Sequence, residues 1–192
     1  MKNLYISGYR SYELQIFSDD DIKLKYLKAF LETELKRLLE EGWEWFIITG
    51  ELGIEQWVGE IILKLKKDYE QAKLAILFPY TDFGGRWNET NQSKLLRLKE
   101  RADYVNYTSQ QPYFSPKQLQ ANQRFVLQNT DGLLLFYDEL FPGKPKYLKE
   151  AVENAVFTKN FNLMSVSMDE LDLFVGDHPD LFHEEDTPTD TL

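Results

Sequence analysis

The feature that most constrains the fold is an alternation of two hydrophobic periods, sustained from Leu4 to Val166. Short apolar runs occur at Leu4-Tyr5-Ile6-Ser7, Trp45-Phe46-Ile47-Ile48, Leu74-Ala75-Ile76-Leu77-Phe78 and Leu133-Leu134-Leu135-Phe136-Tyr137. Weaker ones lie at Tyr104-Val105-Asn106-Tyr107 and near Asn162–Val166. Runs of this length, closed by turn residues such as Gly8, Thr49-Gly50 or Pro79, read as strands. Between them come apolar stripes spaced by three and four residues. Leu24, Leu27, Leu31, Leu35 and Leu38 make one, and Ile54, Trp57, Val58, Ile61, Ile62 and Leu65 another. That spacing is one face of a helix. Further helices are predicted from about Asn88 to Arg101, from Ser115-Pro116 onward and from about Tyr147 to Phe157. Strands alternating with helices this long are joined by right-handed crossovers. The predicted fold is therefore α/β: a three-layer, Rossmann-like domain with a mostly parallel sheet and helices on both faces.

Charge divides the chain. Its net charge is −10, yet nine of its 32 acids and none of its 22 bases lie from Asp169 onward. Residues 1–168 thus hold 23 acids against 22 bases and are read as the folded, Rossmann-like domain. Residues 169–192 are read as an acidic C-terminal tail, mobile after 176. A near-neutral body disfavours nucleic acid, whose binding is driven by basic surfaces that release counterions. The absence of cysteine excludes disulfides, thiolate nucleophiles and cysteine zinc sites. No apolar run reaches the roughly 20 residues of a membrane span, and Met1–Gly8 turns polar too early for a secretory signal. The expected location is cytoplasmic, with no membrane partner.

In such folds ligands bind beyond the carboxyl ends of the strands, at a topological switch point. The loops expected there are rich in glycine, arginine and aromatics: Ser7-Gly8-Tyr9-Arg10-Ser11, Thr49-Gly50-Glu51-Leu52-Gly53-Ile54-Glu55, Gly84-Gly85-Arg86-Trp87, Pro112-Tyr113-Phe114-Ser115 and Tyr137–Lys146. Gly50 and Gly53 precede a helix, where glycine lets backbone amides approach a phosphate and the helix end adds partial positive charge. The same glycines also suit a plain turn that closes helix–sheet packing. Arg10 could pair with a bound anion, and Trp87 or Tyr80 could stack on a base. Glu55 lies off the apolar stripe of its helix. It is either a surface carboxylate facing the helix dipole, or a partner for ribose hydroxyls or for Arg10. Asp19-Asp20-Asp21 reads as helix capping rather than a metal site, and His178 and His183 are not read as ligands.

Taken together, Ser7–Leu14, Thr49–Trp57, Trp87-Asn88, Pro112–Gln118, Thr130–Asp138 and Pro145-Lys146-Tyr147 resemble the YpsA family of Gram-positive bacteria. The resemblance implies membership of the Rossmann-like group that includes DprA and the LOG-type phosphoribohydrolases, whose glycine loops bind nucleotides or nucleotide-derived signals. It also implies a link with cell division. LOG enzymes carry Pro-Gly-Gly-x-Gly-Thr-x-x-Glu after the fifth strand. Here Pro142, Gly143 and Glu150 are kept, while Lys144, Lys146 and Tyr147 replace small residues, which argues against hydrolysis.

The function expected is binding or sensing of a nucleotide-derived ligand, NAD- or ADP-ribose-like by analogy of fold, with no further cofactor and no metal. Gly8, Arg10, Thr49, Gly50, Gly53, Glu55, Trp87, Lys144 and Lys146 are the candidate ligand-binding residues. The enzyme alternative, an N-ribosyl hydrolase, would need a carboxylate near the sugar, with Glu55 and Glu150 as candidates. A third alternative is a protein partner docking on the tail, through His178-Pro179-Asp180-Leu181-Phe182.

Overall fold

The computed structural model describes residues 1–155, 157 and 160–182. Six strands form one sheet: β1 (Lys2–Ser7), β2 (Trp43–Ile48), β3 (Lys73–Phe78), β4 (Tyr104–Tyr107), β5 (Gly132–Phe136) and β6 (Asn162–Val166). Their order is β4-β3-β2-β1-β5-β6 and every neighbouring pair is parallel. The helices are α1 (Ile22–Glu40), α2 (Ile54–Leu65), α3 (Glu89–Arg101), α4 (Lys117–Gln128), α5 (Pro145–Glu153) and α6 (Met168–Asp177).

Alternation along the strands separates two cores. Leu4 and Ile6 of β1, Phe46 and Ile48 of β2, and Leu74, Ile76 and Phe78 of β3 pack with residues of α1, α2 and α3. Tyr5, Ile47, Ala75, Leu77, Leu133 and Leu135 face the other way, onto Val126 and Leu127 of α4 and Leu148 and Val152 of α5. Each fully buried side chain of the Leu4, Ile6 or Phe46 kind contributes about 1.5–3 kcal/mol relative to leaving it exposed. The chain leaves β1 toward β2, then β3 and β4, and returns through α4 to β5 on the opposite flank of β1. The switch point of the sheet is thus between β1 and β5.

Three boundaries differ from the sequence reading. Strand β2 begins at Trp43, because that indole is buried and its residue pairs with Lys2. Helix α5 stops at Glu153, where Asn154 caps it and its amide donates to the Glu150 carbonyl at 2.7 Å. The third concerns the acidic C-terminal region. Residues 168–177 form helix α6, opened by a reciprocal cap between Ser167 and Glu170. Phe174 meets Phe30 of α1 edge-on at 5.3 Å, and Met168 and Leu171 also pack against the core. Four carboxylates interrupt that stripe in the sequence, which is why charge alone reads the segment as solvated. His178 stacks on Phe174, and Pro179–Phe182 form a short 3-10 turn; His183 and the rest of 183–192 lie outside the described residues. Among the described residues no helix is long and apolar enough to cross a membrane.

Candidate functional site

The carboxyl ends of β1 and β2 converge on one buried carboxylate. Glu55, in the first turn of α2, is 2% exposed, so neither a surface role nor free access to a ribose fits its position. Its Oε1 accepts from the Ser7 hydroxyl at 2.6 Å. Its Oε2 accepts from the Thr49 amide at 2.6 Å, the Thr49 hydroxyl at 2.8 Å and the Glu51 amide at 3.3 Å. Ser7 ends β1 and Thr49 follows β2, so a single side chain ties both strand ends to the start of α2. Burial pushes the Glu55 carboxyl above its ordinary value of 4.5, and nearby Glu51 adds to the rise. The Ser7 bond, Arg10 and the Thr49 bond oppose it. Tyr5 lies beneath this group, its phenol raised by burial and by the Glu55 charge.

Gly53 fixes the second contact between these loops. It is the N-cap of α2 with φ +98°, a conformation that suits glycine. A Cβ there would lie 2.5 Å from the Tyr9 carbonyl oxygen and 2.6 Å from the Ser11 nitrogen, so the β1–α1 loop rests directly on the glycine. The Tyr9 carbonyl also accepts the first free amide of α2, from Ile54, at 3.1 Å. Gly50 is a close-approach glycine as well: a Cβ would meet the Phe78 ring at 2.5 Å, while its carbonyl accepts from Gln56 at 3.0 Å. Gly8 is wedged between Phe136 and Ile54. Arg10 pairs with Glu51, not Glu55, at 3.0 Å, and both side chains keep about a quarter of their surface open to solvent.

Across the switch point the β1–α1 and β5–α5 loops are bridged by side chains. The Tyr9 hydroxyl donates to the Phe141 carbonyl and accepts from the Asp138 amide, each at 2.7 Å. Glu13 accepts from the Arg10 amide at 2.8 Å and from the Lys144 amide at 2.6 Å. An open cleft of about 620 Å³ lies beside this bridge, lined by Tyr9, Glu13, Leu140, Phe141 and Met168 among others. Glu13 is the one charged side chain in its lining, and both of its oxygens are already bonded.

Sequence comparison agrees with this geometry in extent. A family model named YpsA, described as the YspA SLOG family, matches residues 4–171. The chain belongs to the YpsA family. A UPF0398 protein of Lacticaseibacillus paracasei is 44% identical over 171 residues, covering 89% of this chain and 90% of its own. One from Latilactobacillus sakei is 46% identical over 153 residues, covering 80% and 82%, and one from Enterococcus faecalis is 40% identical over 171 residues, covering 89% and 95%. The YpsA match runs into α6, in keeping with the docking of that helix on the body.

Within this YpsA-family fold the remaining sequence candidates separate from the Glu55 cluster. Trp87 meets Phe83 edge-on at 5.4 Å and packs on the core beneath Gly84, so its ring is turned inward. Lys144 offers its amide to Glu13, and the Lys146 ammonium lies over the Tyr147 ring at 5.0 Å. Glu150 is exposed on α5. Ser7, Tyr9 and Glu13 were not singled out by sequence. The available signal was a polar residue ending an otherwise apolar strand, and a Tyr and a Glu in a loop beside the switch point.

Proposed function

We propose that this chain is a binding module for a nucleotide-derived ligand, held over the β1–α1 and β2–α2 loops without being turned over. The observation that carries the reading is the fully bonded, buried Glu55. It holds the two loops in one geometry and so presents Arg10 on a preformed edge. A phosphate would draw Arg10 from Glu51, an exchange of one charge-assisted bond for another. Gly8, Thr49, Gly50 and Gly53 give the loops their shape, and Lys144 and Lys146 are the flanking cations for a longer ligand. Glu55 supports the ligand through the loops instead of touching ribose. An N-ribosyl hydrolase is the less favoured reading, since both Glu55 oxygens already accept hydrogen bonds and Glu150 stands apart from them. A cell-division setting rests on the family resemblance, and localisation of the tagged protein at the septum tests it.

The binding test is isothermal titration of the purified protein with AMP and ADP-ribose, alongside Arg10→Ala. Binding that Arg10→Ala weakens, with both probes recovered intact, is the expected result. No heat from either probe against a folded protein refutes the proposal, and release of adenine establishes the hydrolase reading instead.

A further inference from the structure

The β4–α4 loop presents two exposed aromatic rings on a backbone held tightly from beneath. Tyr113 is 42% exposed and Phe114 71%. Scattered apolar residues on a surface need no explanation, but these two are adjacent and their loop is built around them. Gln118 is 5% exposed and uses its whole amide on the loop. Its oxygen accepts from the Phe114 and Ser115 amides at 2.8 and 3.2 Å, and its nitrogen donates to the Pro112 carbonyl and the Ser109 hydroxyl at 3.1 and 2.9 Å. Asp82 accepts from the Tyr113 amide at 2.8 Å, and the Thr81 amide donates to the Gln111 carbonyl at 3.2 Å, so the β3–α3 loop is tied in as well. Two large rings are thus held toward solvent at small further entropic cost, the arrangement that favours stacking.

The neighbouring ring is Tyr80, 5.1 Å from Tyr113 and tilted by 54°. Tyr80 in turn lies in the field of Glu51, the partner of Arg10. Along the carboxyl edge of the sheet the order is therefore Arg10 after β1, Glu51 after β2, Tyr80 after β3 and Tyr113 after β4. The Arg10 guanidinium reaches Glu51, so from it to Tyr113 the row covers two strand spacings of about 4.8 Å, roughly 10 Å. It is cationic at one end and aromatic at the other. We propose that Tyr80, Tyr113 and Phe114 form the base-stacking platform of the ligand site, so that a nucleoside phosphate lies along this edge with its phosphate at Arg10 and its base over the β3–α3 and β4–α4 loops. This rests on the nucleotide reading above and adds its orientation and its demand for a planar base. Trp87, packed on the core beneath Gly84, has no part in it.

The test is isothermal titration of AMP and ribose 5-phosphate into the full chain and into Tyr113→Ala, Tyr113→Phe and Arg10→Ala, with circular dichroism to verify folding. AMP is expected to bind at least about tenfold more tightly than ribose 5-phosphate. Tyr113→Ala should erase that difference, Tyr113→Phe should keep it, and Arg10→Ala should weaken both probes alike. Should Tyr113→Ala fail to fold, Phe114→Ala gives the same comparison. Equal affinity for the two probes, with no effect of the aromatic variants, overturns the platform and leaves the anion site standing. Absence of binding by either probe overturns both. An oligonucleotide that binds through Tyr113 where AMP does not would make the surface a single-strand binder, and overturns the mononucleotide assignment.

Discussion

Replacing Glu55 separates its bonding from its bulk. In Glu55→Ala the Thr49 amide loses its 2.6 Å acceptor in a residue only 7% exposed, and an orphaned buried N–H costs about 1–3 kcal/mol. The Ser7 and Thr49 hydroxyls lose their acceptor too, at roughly 1 kcal/mol each, although they can rotate toward others. Against this, removing a buried carboxylate returns part of its desolvation. The net is a loss of about 3 kcal/mol. For a domain of this size that corresponds to a fall in Tm of ~6–12 °C. Glu55→Gln behaves differently. Its amide oxygen can take the place of Oε2 with the three donors there, while its NH2 donates to the Ser7 oxygen, which turns its own proton away. Its cost should stay within about 1 kcal/mol. Urea and thermal denaturation of the three proteins give the comparison. Equal stabilities for the Ala and Gln variants, or an Ala variant within about 0.5 kcal/mol of the parent, would refute the assignment of Glu55 as the loop anchor. Because Gln keeps the loops, ligand affinity should survive in Glu55→Gln.

Four further outcomes follow from the same contacts. Gly53→Ala should lose more stability than Gly42→Ala, by at least ~1 kcal/mol in urea denaturation; both have positive φ, but a Cβ at Gly42 meets nothing within 4 Å while one at Gly53 strikes the Tyr9–Ser11 backbone. Tyr9→Phe removes two bonds across the switch point and leaves the Asp138 amide unpaired, for a loss of about 2 kcal/mol in the same assay. Phe174→Ala, which strips α6 of its contact with Phe30, should cost about 2 kcal/mol, below the figure for a fully buried Phe because Phe174 is only partly covered. Glu55 also sets a pH signature. Its folded carboxyl is raised, so the stabilisation it gives is complete below 4.5 and is lost as pH rises through the higher folded value. The stability of Glu55→Gln relative to the parent should therefore improve with rising pH above 4.5, whereas a flat difference between the two profiles would show that Glu55 is not raised.

The architecture was legible because strand and helix periods do not resemble each other. Leu74–Phe78 and the stripe from Ile54 to Leu65 each admit one reading, and the parallel sheet follows from their alternation. The loops named as the site edge are the ones at the carboxyl ends of the strands. What failed to show was which partner each polar residue meets. Glu55 is off its helix's apolar stripe, which ordinarily means solvent, but the β1 and β2 ends close over that side of α2. The ion pair of Arg10 with Glu51 depends on the turn at Gly50, and the bridge from Tyr9 to Phe141 joins residues 132 positions apart. Helix α6 was hidden for the opposite reason: local charge was conspicuous and its tertiary contact, Phe174 on Phe30, was not.

Gly53 and Glu55 are best understood as two halves of one device. Gly53 allows the β1–α1 loop to lie against the start of α2, and the Tyr9 carbonyl then occupies the Ile54 amide. In an open helix N-terminus that amide would be among the donors available to a phosphate. Here the protein's own backbone takes it, and the Glu55 carboxyl takes the Thr49 and Glu51 amides between the strand ends. In the proposed site an anion would therefore be met not at the helix end but at the side chain of Arg10, whose guanidinium pairs with Glu51. Binding that exchanges the Glu51 carboxylate for a phosphate at Arg10 would favour a ligand that supplies more than charge. The proposed stacking on Tyr80 and Tyr113, along the same edge, would supply that second contact.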